Sequence, residues 1–88
     1  MTQDKTTLFD VKEIDTEMTR QVLKEVYEAL EERGYNPTNQ IVGYLISGDP
    51  GYISSHKEAR NKISRIDRTK ILEILVENFI NDKWDIWD

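Results

Sequence analysis

The sequence predicts an all-α protein of about four short helices with a flexible N-terminal arm, and three observations carry that expectation. Apolar residues recur at helical spacing in Met18, Val22, Val26 and Leu30, and again through Ile71, Leu72, Ile74, Leu75, Val76, Phe79 and Ile80. All 4 glycines and both prolines fall between residues 34 and 51, where three of the glycines and both prolines punctuate helices. With 88 residues and no cysteine, the chain is expected to form one domain held by packing alone, and oligomerisation would help so small a core.

Residues 1–14 form the expected arm: Leu8, Phe9, Val11 and Ile14 are scattered among polar residues without a cap or a sustained period. Thr7, Phe9 and Val11 would share one face if the arm were locally extended. A single helical domain is expected over 15–82. Asp15 is placed to cap the first helix, with Glu17 near its positive end and Leu23 and Tyr27 beside the apolar stripe. Arg33 followed by Gly34 is a helix stop, because glycine adopts left-handed geometry without steric penalty.

Asn36-Pro37 restarts the chain as an N-cap and first helical residue, so a second helix is expected from Pro37 to about Ser47, closed by Gly48. Asp49-Pro50-Gly51 reads as a turn with glycine at positive φ in its third position. Ser55-His56-Lys57-Glu58 matches a capping box and should open a third helix with Ala59, Ile63 and Ile66 inward. Asp67 can cap the fourth. That helix is apolar around so much of its circumference that it must be central or lie at a dimer interface. Residues 83–88 form an acidic, tryptophan-containing tail that could dock.

Several classes of function are excluded or weakened by composition. The net charge of −5 argues against a protein that coats nucleic acid or anionic lipid with its whole surface. No apolar run approaches a membrane span, and MTQDKTTLFD lacks the basic and apolar regions of a signal peptide, so a cytoplasmic protein without membrane insertion is expected. One histidine and no cysteine leave no ordinary zinc site, and no cofactor is expected. His56 sits inside the capping box and is read as structural, not as a general base. Glu73 and Glu77 share a helix face at a spacing a metal could use, but a solvated face is the simpler reading, as it is for Glu31 and Glu32. Gly43 and Gly48 flank a helical segment and do not follow a strand, so they are no phosphate loop. No catalytic residues emerge.

The charge is unevenly distributed. Lys57, Arg60, Lys62, Arg65, Arg68 and Lys70 face only Glu58 and Asp67 in the same stretch, a local excess of +4. Three uses are open. Lys57, Arg60, Lys62, Arg65 and Arg68 could receive a phosphate or an acidic partner; the acidic first helix, with Glu25, Glu28, Glu31 and Glu32, could pair with them; or the bases could simply be solvated. A helix-turn-helix reading through Arg60, Lys62, Arg65 and Arg68 is the alternative, disfavoured by the acidic remainder and by a long, stiff GDPGY turn. Thr6 and Thr7 lie in the arm, where a phosphate would add about −1.5 to −2 charges.

The string GYNPTNQIVGYLISGDPGYISSHKEARNKI, residues 34–63, resembles the IreB family of small regulatory phosphoproteins of Gram-positive bacteria. The resemblance implies a helical homodimer without enzymatic activity. It further implies a substrate of a membrane Ser/Thr protein kinase and its cognate phosphatase, acting on a downstream protein to restrain cell-envelope stress responses, including cephalosporin resistance. Phosphorylation would fall on Thr6, with Thr7 adjacent and Thr2 a weaker match. Ser54 stands where relatives tend to have proline, and the WDIWD end differs from their basic or polar tails. For such a dimer, Asn39, Gln40, Tyr44 and Tyr52 are expected either at the subunit interface or in hydrogen bonds that lock the GDPGY turn onto the second helix within one chain.

Overall fold

The computed structural model describes residues 11–87, and among them every regular element is helical. Helix α1 spans Val11–Glu32, α2 Pro37–Ser47, α3 Ala59–Ser64 and α4 Arg68–Trp87, with short 3-10 turns at Pro50–Tyr52 and His56–Glu58.

Helix α1 begins four residues before the expected cap, at Val11 and not at Asp15. Val11, Lys12, Glu13 and Ile14 contain no helix breaker, so nothing local stops the helix from extending toward the N-terminus. Asp15 is therefore an interior residue, whose carbonyl accepts a 2.9 Å hydrogen bond from the Thr19 hydroxyl. That bond satisfies Thr19, the one polar residue buried in the described core. Val11 is helical and not extended, while Thr7 and Phe9 lie outside the described residues.

The exit from α1 follows the sequence closely. Gly34 has φ +81°, its N–H donates to the Glu31 carbonyl at 3.0 Å, and the Tyr35 N–H reaches back to Leu30 at 3.1 Å. These paired bonds satisfy carbonyls that the helix end would leave orphaned. Helix α2 then starts as expected: the Asn36 side chain accepts from the Asn39 N–H, Pro37 takes the first position, and Gly48 at φ +76° donates to Tyr44 O.

The next turn differs in detail. Gly51 does not have positive φ; the Asp49 carboxylate accepts its N–H at 2.8 Å, and Tyr52 and Ile53 donate to Asp49 and Pro50 in a continuous 3-10 turn. The capping box is also not formed. Ser55 makes no side-chain cap, while Lys57 and Glu58 adopt left-handed φ of 54° and 62° before α3 begins. Asp67, by contrast, caps α4 by accepting the Thr69 N–H at 2.8 Å.

Helix α1 is the spine of the molecule. Its residues Val26, Ala29 and Leu30 meet Tyr44 and Leu45 of α2, Ile53, Ala59 and Ile63 of the α3 region, and Ile71 of α4, with Val22, Leu23, Ile41 and Ile66 packed around them. Among the described side chains of α4, only Ile71 and Ile74 are buried, and Leu72, Leu75, Val76, Phe79 and Ile80 are exposed. Its backbone continues through 83–87 without a break, so the expected tail is, up to Trp87, part of the helix.

Candidate functional site

The basic segment faces helix α1, and most of its charge is already partnered. Lys57 Nζ lies 3.1 Å from the Glu32 carboxylate, and His56 Nε2 lies 2.8 Å from the same group. About two turns back along α1, Glu25 takes the Lys62 ammonium at 3.0 Å and the Gln21 amide at 2.9 Å. Lys70 approaches Asp15 at 3.6 Å. Of the uses the sequence left open for this segment, pairing with the acidic first helix is the one the structure realises, and within one chain.

The arginines do different work. Arg60 Nε donates to the Ile53 carbonyl at 2.8 Å, fastening the loop that precedes α3. Arg68 Nη1 donates to Leu45 O at 3.0 Å, and its guanidinium covers Gly48 so closely that a Cβ there would sit 2.8 Å from Cζ. Both reach carbonyls at the ends of local structure, where an arginine fork substitutes for a missing backbone donor. Arg65 is exposed; its backbone N–H closes α3 on Lys62 O at 3.3 Å, and its side chain has no ion-pair or hydrogen-bond partner among the described residues.

Electrostatics follow the contacts. Glu25 is held below the ordinary glutamate range by its hydrogen bond from Gln21 and then by Lys62. Glu32 is lowered by its hydrogen bond to His56 and then by Lys57. Both groups keep substantial solvent contact, so screening limits what each pair contributes. His56, read from sequence as a structural first-turn residue, is half-buried and ties the loop to α1.

This arrangement offers little to duplex DNA. Helix α3 has only 6 residues, two 3-10 turns separate it from α2, and Arg60 and Arg68 donate to carbonyls of their own chain. A recognition helix needs its cations free and aligned along one groove.

The four polar residues of the α2 region are engaged within the chain to different degrees. Gln40 Nε2 donates to the Tyr52 carbonyl at 2.9 Å, locking the GDPGY turn onto α2. The Tyr52 ring lies against Gly43, and Tyr44 is buried in the core at 5% exposure. Asn39 keeps an exposed side chain and gives its backbone N–H to the Asn36 cap. Beside them, Leu23 and Tyr27 of α1, Ile41 and Val42 of α2 and Leu75 of α4 line an apolar groove of ≈ 220 Å³. It adjoins the exposed face of α4. Sequence reading signalled that face through the breadth of apolar residues on α4, but not the groove, which needs three helices.

Thr6 and Thr7, and with them Thr2, lie outside the described residues.

Among the described residues no group of three histidine, cysteine, aspartate or glutamate side chains could hold a metal ion, and no helix is long and apolar enough to cross a membrane. Fold and site thus define a small protein, helical throughout its described regular elements, whose basic segment is tied to its own first helix through Glu25, Glu32 and Asp15. A family model described as IreB regulatory phosphoprotein matches residues 4–81, and the chain belongs to this family of regulatory phosphoproteins.

Proposed function

We propose that this chain is a cytoplasmic, non-catalytic regulator that is phosphorylated on Thr6 or Thr7 by a membrane Ser/Thr kinase, reset by a cognate phosphatase, and acts as a homodimer on a downstream protein to restrain the cell-envelope stress response and cephalosporin resistance. The observation that carries the reading is the family match itself, which begins at residue 4 and so includes both threonines. The uneven use of charge supports it. Lys57, Lys62 and Lys70 are already paired with acids of α1, so phosphate on the arm acts either by docking on what the Lys57 to Lys70 surface leaves open or by loss of a partner that needs the uncharged arm.

The homodimer is supported by the apolar face of α4. Leu72, Leu75 and Val76 are 45%, 42% and 61% exposed, and the neighbouring groove extends that surface onto α1 and α2. Contiguous exposed apolar area of this kind marks an interface. Asn39 can lie at its edge, whereas Tyr44 contributes by shaping α2 from within.

Incubation of the full chain with the kinase's cytoplasmic domain and ATP, followed by mass spectrometry of intact protein and peptides, tests the proposal. Phosphate confined to Thr6 or Thr7 is the expected result. A chain that stays unmodified while a control substrate is labelled, or is labelled only within residues 14–82, refutes it.

A further inference from the structure

Two successive non-glycine residues in left-handed geometry form the most strained backbone among the described residues, and they occur where the sequence encodes something else. Ser55-His56-Lys57-Glu58 is a capping-box sequence. In that arrangement the Ser55 hydroxyl would accept the Glu58 N–H, the Glu58 carboxylate would accept the Ser55 N–H, and the helix would run unbroken from His56 into α3. The structure contains none of this. Ser55 makes no side-chain cap, Lys57 has φ 54° and ψ 32°, and Glu58 has φ 62° and ψ 21°.

Each left-handed residue lowers the population of the segment by about 5- to 30-fold relative to right-handed geometry, because Cβ crowds the following carbonyl. Contacts from elsewhere must outweigh that penalty. Three are present. Glu32, at the end of α1, holds both His56 and Lys57 through one carboxylate. Arg60 fastens its Nε to the Ile53 carbonyl and its backbone N–H to Ser54 O. The Glu58 carboxylate, freed from capping, accepts the Asn61 amide at 2.7 Å instead. Of these, only the Glu32 contacts come from outside the segment and its own helix.

We infer that residues 55–58 are a two-state latch: a left-handed arrangement clamped by Glu32, and a capped helical arrangement that extends α3 by one turn when the clamp is released. Local sequence favours the second state and tertiary contact the first, which is the condition for a bistable element. The His56 and Lys57 side chains are the parts the switch moves, so charge at the end of α1 is converted into backbone shape at the start of α3.

NMR on the full chain tests the latch. Strong intraresidue amide–Hα cross-peaks and φ-sensitive couplings at Lys57 and Glu58 report left-handed geometry. In Glu32→Gln the ratio of latched to capped forms is expected to fall about fivefold, the worth of two partly exposed contacts, with helical couplings and sequential amide contacts appearing through 56–58. Amides of Leu30 and Ile63 should keep their protection. Adding Glu58→Gly to Glu32→Gln should restore the left-handed signature at Lys57, because glycine removes one of the two penalties the clamp opposes and the carboxylate the capping box needs. Left-handed signatures that persist in Glu32→Gln overturn the inference. If that variant loses core protection instead, restoration by Glu58→Gly supports the latch, and failure to restore overturns it.

Discussion

Replacing Gly43 with alanine should destabilise this protein although it sits in the middle of a helix. At an ordinary helical position alanine is better than glycine by about 1 kcal/mol, since it loses less backbone freedom on folding. Here an ideal Cβ would overlap Cε1 of Tyr52 and stand 2.5 Å from Cδ1 and 2.9 Å from Cζ. The ring must leave. Its backbone cannot follow, because the Tyr52 carbonyl is held by Gln40 at 2.9 Å and the Ile53 N–H by Pro50 at 3.0 Å. The ring is 40% exposed, so displacement returns roughly 100 Å² of apolar surface to water, about 2.5 kcal/mol. The net expectation for Gly43→Ala is a loss of about 1.5 kcal/mol, a fall in Tm of roughly 6–12 °C for a domain of this size. Removing the ring reverses the sign: in a Tyr52→Ala background, Gly43→Ala should stabilise by about 1 kcal/mol. Urea unfolding of the four proteins in this cycle measures both signs. Stabilisation by Gly43→Ala in the wild-type background would refute the reasoning.

Two further expectations concern charge and assembly. Because Glu25 and Glu32 are lowered by Gln21 and Lys62 and by His56 and Lys57, the unfolded chain binds their protons first as pH falls. Their stabilisation is complete above the ordinary glutamate pKa and disappears as pH drops through the lowered folded values, so Glu25→Gln with Glu32→Gln should flatten the acid limb of a stability–pH curve; an unchanged slope contradicts the assignment. On the exposed face of α4, Val76→Asp should leave helical circular dichroism intact and halve the mass seen by light scattering, whereas an unchanged dimer mass would remove α4 from the interface.

The helix boundaries were largely legible because capping is a local matter. Asn36 accepts from Asn39 and Asp67 from Thr69, each within a few residues, and Gly34 and Gly48 take the left-handed geometry their positions demand. The apolar stripe on α1 likewise pointed Val22, Val26 and Leu30 inward, whereas Met18, the first residue of that stripe, is exposed. Where a residue's neighbours come from another element, the reading ran out. The start of α1 was placed too late because Asp15 resembles a cap while no local residue prevents the helix from extending past it. His56 looked like a surface residue because Glu32, its partner, lies 24 positions away.

The basic segment shows the division most clearly. Its excess charge and the acids of the first helix were both visible in the chain, but only the folded arrangement decided that Glu25 takes Lys62, that Glu32 takes His56 and Lys57, and that Arg60 and Arg68 turn to carbonyls. Alone, the sequence determined an all-helical chain with its stops and starts, since these depend on backbone chemistry within one turn. Tertiary structure decided why residue 43 is glycine, why Ser55 to Glu58 do not form the capping box they spell, and which apolar face is left uncovered. Those outcomes depend on side chains that are close only after the helices have packed.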